Sequence, residues 1–238
     1  MRIGSNYDKI EWKVFNLDLL EPIGFLGDLI IASFCFYFAY KILKMNTNVL
    51  FYNYWRWFLI IFGTSIILGG LGHLLYNYTG TFGKCFGWLG SLISTVFLEM
   101  AFISLYPKTK VKKILYVLSY LKLALMFIIE LLILSFGDID KNQALGLIVP
   151  SINSFIGIGF YAGCLGYYYQ KTIAENFKFF WIGVLVLVPA SLFQIFQINP
   201  HPYFDRNDLS HLILILSLIL FYQGLKKLPK IDFAKSLD

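Results

Sequence analysis

Seven apolar runs, each near the length of a bilayer crossing, constrain this chain more than any other feature. They fall at about 22–43, 54–76, 83–106, 112–135, 144–169, 177–198 and 207–225. A helix needs roughly 20 apolar residues to cross the hydrocarbon core. A crossing segment must also satisfy its own backbone hydrogen bonds, which the α-helix does. Connections between the runs are short and leave no room for a separate soluble domain. The expected fold is all-α: one polytopic membrane domain over 1–238, folded as a seven-transmembrane helix bundle.

Composition agrees with lipid as the solvent. Hydrophobic residues make up 58% of the chain, aromatic ones 19% and charged ones only 14%, far from the balance of a soluble domain. No basic stripe with interleaved aromatics lies outside the runs, so the net charge of +6 is no sign of nucleic acid as a partner. The cations read instead as a topology signal. Lys108, Lys110, Lys112 and Lys113 crowd the third connection, and Lys226, Lys227, Lys230 and Lys235 follow the last run. The opposite side has fewer cations, mostly beside acids such as Glu11, Asp138 and Asp205. Positive-inside bias then predicts an outer N-terminus and a cytoplasmic C-terminus, which an odd number of helices also requires. The expected location is a bacterial inner (plasma) membrane. Met1 to Leu20 lack the apolar run of a secretory signal, so the first helix is expected to act as an uncleaved one. Cys35, Cys85 and Cys164 lie within the runs at unrelated spacings and read as buried small hydrophobes.

Small residues predict where helices touch. Gly83, Gly87, Ser91 and Ser94 form a stripe on the third run, and Gly159 and Gly163 a shorter one on the fifth. Such stripes let backbones approach where lipid gives no hydrophobic drive. Gly69 and Gly70, a turn before His73, put that histidine on or beside a close-contact face.

Ionisable residues inside the runs are costly and point to function. At 1.5 Å of rise per residue, Asp28, His73, Glu130, Asn153, Gln194, Gln197, Asn207, Asp208 and His211 all fall in the outer half, within about 10 Å along the membrane normal. A shared polar cavity open to the outer surface is the cheapest way to bury them. Glu99 falls in the inner half. Lys122, deep in the fourth run, is expected to pair with a nearby acid or to snorkel. His201, between Pro200 and Pro202, reads as a loop residue that could lie over the cavity mouth. In Asn207-Asp208-Leu209-Ser210-His211 the helical spacing aligns His211 with Asn207 and Asp208. Asp208 can orient the imidazole or share a cation with it, and Asn207 or Asp208 can instead cap the seventh helix.

Seven helices with an outer N-terminus, a histidine on the second and a histidine early on the seventh resemble the superfamily of alkaline ceramidases and progestin/adipoQ receptors. The resemblance covers the chain in architecture and rests in sequence on His73 and His211. It implies a zinc ion held by histidines of the second and seventh helices and hydrolysis of amide bonds in lipids. The superfamily's H-x-x-x-H reads Asn207-x-x-x-His211 here, Gly69 stands where a serine is usual, and the third-helix aspartate has no match.

Together these readings predict a membrane protein with an outward-facing His/Asp pocket, acting as a zinc-dependent hydrolase of a lipid or lipid-like amide or ester. His73, His211 and Asp208 are the expected metal ligands, and Asp28 or Asp208 the general base. The alternative is a non-enzymatic sensor, ligand-binding or assembly protein built on the same pocket.

Overall fold

A computed structural model describes residues 9–45, 48–142, 144–201 and 203–228. Seven helical spans are long and apolar enough to cross a membrane, and the chain is a seven-helix integral membrane protein. Seven crossings put the first and last spans' outer ends on opposite sides, called here the N-terminal and C-terminal ends of the bundle.

A short antiparallel hairpin precedes the first span: β1 (Glu11–Val14) pairs with β2 (Leu17–Leu20). Its two-residue turn, Phe15-Asn16, has φ of 48° and 66°, the doubly left-handed geometry whose twist matches that of the strands. The apolar-run reading had no signal for this element. Then follow α1 (Pro22–Lys44) and α2 (Leu50–Leu74). The third span opens with a single turn, α3 (Tyr76–Thr79), and a 3-10 segment (Gly80–Lys84), and continues as α4 (Cys85–Ser104). Next come α5 (Thr109–Phe136) and a fifth span of three pieces: α6 (Ala144–Ser154), a π-helix (Phe155–Leu165) and α7 (Gly166–Thr172). Pro150 removes one donor from that ladder, and Gly157, Gly159 and Gly163 weaken helical preference beyond it. α8 (Lys178–Phe196) and α9 (Arg206–Lys227) close the bundle.

The predicted glycine stripe of the third span is a true helix contact. A Cβ on Gly87 would stand 2.7 Å from the Gly69 Cα, and one on Gly72 would overlap the Gly83 backbone. Only hydrogen at those positions lets α2 and α4 pack this closely. The fifth-span stripe behaves otherwise. Gly159 faces open space and Gly163 meets Val184 at an ordinary 3.6 Å, while Gly157, between them and the α6 end, presses on Thr95 and Glu99.

Packing is uneven along the membrane normal. Towards the C-terminal end, Phe51, Trp55, Phe102, Tyr169, Phe180 and Phe221 interlock as a buried aromatic cluster, with Tyr169 donating to the Phe102 carbonyl at 2.7 Å. Towards the N-terminal end the packing loosens. Of the α1 residues between Pro22 and Ile31 none is fully buried, and the same holds for α8 beyond Gly183 and α9 before Ser217. The aromatic plug seals one half of the bundle, and a looser, more polar half lies above it between α1, α8 and α9.

Candidate ligand site

Two imidazole–carboxylate pairs occupy the loose half. In the first, His211 Nε2 of α9 lies 3.2 Å from Asp28 Oδ1 of α1. Both side chains are mostly buried, at 21% and 14% exposure. Two glycines make the space. A Cβ on Gly27 would come within 2.7 Å of His211 Nδ1, and one on Gly70 of α2 would overlap Asp28 Oδ2. His211 Nδ1 is thus turned onto α1 and has no hydrogen-bond partner among the described residues.

In the second pair, His73 Nδ1 lies 3.1 Å from Glu21 Oε2, and Lys9 Nζ approaches the other oxygen of Glu21 at 2.8 Å. Glu21 is the N-cap of α1 and sits at φ 50°, ψ 48°, a left-handed conformation that costs a non-glycine residue of order 1 kcal/mol. The strain aims its carboxylate under the hairpin, between Lys9 and His73. Burial pushes the Glu21 carboxyl up, but the His73 hydrogen bond and the Lys9 charge outweigh it and hold the group at about 2. Glu21 and Lys9 were missed in the sequence because they lie outside the apolar runs. An acid directly before the proline that opens a span was the one available sign.

The pairs are neighbours. Asp28 lies within electrostatic range of Glu21 and Asp208, and His211 within range of His73. Lys84, itself buried, lies within range of His73 and over the Tyr76 ring. The expected convergence of second- and seventh-helix imidazoles at one level therefore appears, each held by a carboxylate from α1 or its cap.

Other sequence expectations are redistributed. The cap of the seventh helix is Asp205, not Asn207 or Asp208. Asp205 Oδ1 accepts from the Asn207 and Asp208 amides at 2.6 and 3.2 Å, and Asp208 Oδ2 accepts from the Asp205 amide at 3.0 Å. This reciprocal capping box occupies the carboxylate expected as a ligand and base. Asn207 accepts from Gln194 of α8 at 2.9 Å instead of facing His211. Asn153 accepts from Lys122 at 2.7 Å, and Lys122 also pairs with Glu99; the lysine thus finds the acid expected of it, and Asn153 belongs with it rather than with the imidazoles. Glu130 is buried with neither oxygen hydrogen-bonded. His201 stays in its loop, its Nδ1 accepting from the Tyr203 amide at 3.1 Å.

The donor set does not fit a zinc ion as arranged. Among the described residues no three His, Cys, Asp or Glu side chains converge as a metal site, whereas a catalytic zinc takes three protein ligands. His211 would have to ligate through Nδ1, which packs against Gly27 of α1, or give up Asp28, and Asp208 would have to leave its cap. What the geometry can do is hydrogen-bond and charge-pair. Glu21 and Asp28 meet Lys9 and the two imidazoles, and Asp208 and Asp205 lie within electrostatic range of Asp28 and His211 respectively, so this acidic surrounding favours a cationic or hydroxyl-bearing group.

No characterised protein and no solved structure shows a significant match to the chain. A family model does match residues 23–230, a span that holds Asp28, His73 and His211 and begins just after Glu21. The chain belongs to that family, described as a family of unknown function (DUF6962).

Proposed function

We propose that the protein is a non-enzymatic binding protein for a single-chain amphiphile with a cationic or hydroxyl-bearing head. The observation that carries this reading is the Asp28–His211 pair, fixed at 3.2 Å between two helices that are otherwise loosely packed at that level. The head would meet Asp28 and His211, and the chain would lie along the apolar sides of α1, α8 and α9 above the aromatic plug. Ligand sites are mostly apolar clefts with few oriented polar groups, and this half of the bundle has that character. The cation bias of the C-terminal end supports a cytoplasmic C-terminus, so that the site opens outward in a plasma membrane.

Dodecylamine and dodecanoate, added to the purified protein in detergent, test the proposal. Dodecylamine should raise the melting temperature and dodecanoate should not, and Asp28→Asn should remove the response. Equal responses to the two chains, or a full dodecylamine response in Asp28→Asn, would overturn it. A zinc-dependent lipid hydrolase is the second reading. It draws on the carboxylate behind each imidazole, the partner that metal-bound histidines usually keep. It requires zinc in a 1:1 ratio in protein purified without chelator, with loss of the metal in both His73→Ala and His211→Ala.

A further inference from the structure

α5 is the least buried of the long helices together with α8, and its buried residues are both polar: Ser119 and Glu130. A helix bathed in lipid gains nothing by hiding apolar side chains, so polar contacts are a usual way to dock it. Ser119 fits that role, sharing a hydrogen bond of 3.1 Å with Tyr161 of the π-helix. Lys122, one turn on, fits it as well, reaching Glu99 of α4 and Asn153 of α6.

Glu130 does not fit it. It lies eight residues beyond Lys122, about 12 Å further along the helix, and it is fully buried. Among the described residues neither carboxyl oxygen has a hydrogen-bond partner and no cation pairs with it. The titratable group that faces it is the Cys85 thiol at the start of α4. A carboxylate here would be an unpaired buried charge, with no partner to offset its desolvation. As a docking contact it contributes nothing; as a packing residue, leucine would serve better. An ionisable group kept under these conditions is a sign of function.

We propose that Glu130 is a proton-binding carboxyl set within the membrane between α4 and α5 and held there as the neutral acid. Glu99 is its internal contrast: equally buried, on the facing helix, but paired with a lysine. Nothing in this inference depends on the amphiphile site, which lies on α1, α8 and α9.

A hydrophobic carbodiimide, such as dicyclohexylcarbodiimide, discriminates the two acids because it adds to a protonated carboxyl. The acid's oxygen bonds to the central carbon of the carbodiimide and its proton passes to a nitrogen. The acyl group then shifts from oxygen to nitrogen, giving a stable N-acylurea with no leaving group. The full-length protein in lipid vesicles at neutral pH is labelled, digested and mapped by mass spectrometry. The expected result is an adduct at Glu130 at least about tenfold above that at Glu99, whose carboxylate is held by Lys122, a ratio equal to about one decade in reactive neutral acid, and loss of that adduct in Glu130→Gln. Should Glu130→Gln fail to fold, the two peptides of the wild-type protein still decide. Equal labelling at both acids, or none at Glu130 while the denatured chain labels at both, overturns the proposal.

Discussion

Glu21→Gln gives the sharpest test of how the hairpin is tied to the bundle. The carboxyl is held at about 2 against an ordinary 4.5, and its side chain is only 16% exposed. A depressed carboxylate stabilises the folded state above its unfolded value, and the stabilisation is lost as pH falls through the folded one. Here that window runs from 4.5 down to about 2. At 1.36 kcal/mol per unit the contribution is about 3 kcal/mol at neutral pH and falls to about 1 kcal/mol near pH 3. The state that loses it is the one with the hairpin undocked, because Lys9, Glu21 and His73 join the strand entry, the cap of α1 and the end of α2. Hydrogen exchange of the strand amides reads that opening directly. In Glu21→Gln, protection of β1 and β2 should fall by about 300-fold at pH 7 and by only about tenfold near pH 3, after correction for intrinsic exchange. Protection within twofold of wild type at pH 7 would show that the carboxylate does not hold the hairpin. An equal loss at both pH values would show that it acts through packing rather than charge.

Two further outcomes test the packing that shapes the site. Gly70→Ala should push Asp28 off His211 at a cost of about 1–2 kcal/mol in thermal unfolding and abolish the dodecylamine response, whereas Gly159→Ala, facing open space, should stay within about 0.5 kcal/mol of wild type. Asp205→Ala should cost about 1 kcal/mol as the lost cap of α9 and melt the first turn that carries His211, visible as faster exchange of the Asn207–His211 amides.

Most of the bundle was legible because lipid imposes its rules locally. Hydropathy marks a crossing wherever it occurs, and the glycine stripe of the third span states its contact in sequence, since only a missing Cβ permits Gly87 to meet Gly69. Positions at one depth also follow from counting residues, which is why His73 and His211 were expected at a common level. Counting does not give rotation about a helix axis. Asn153 was expected at the level of the imidazoles, yet it meets Lys122, which also pairs with Glu99 of the inner half. Glu130 faces no histidine, its neighbour being Cys85.

The sequence by itself determined the solvent, the number of crossings, the close-contact face of the third span and the common level of the two histidines, because each follows from local composition and helical rise. Tertiary structure decided which carboxylate each histidine meets. Asp28 and Glu21, not Asp208, are the partners, since a reciprocal capping box with Asp205, three residues earlier, already engages Asp208. It also decided that one half of the bundle is sealed by interlocked aromatic rings and the other left loose, a property of how seven helices lean together that no single run records.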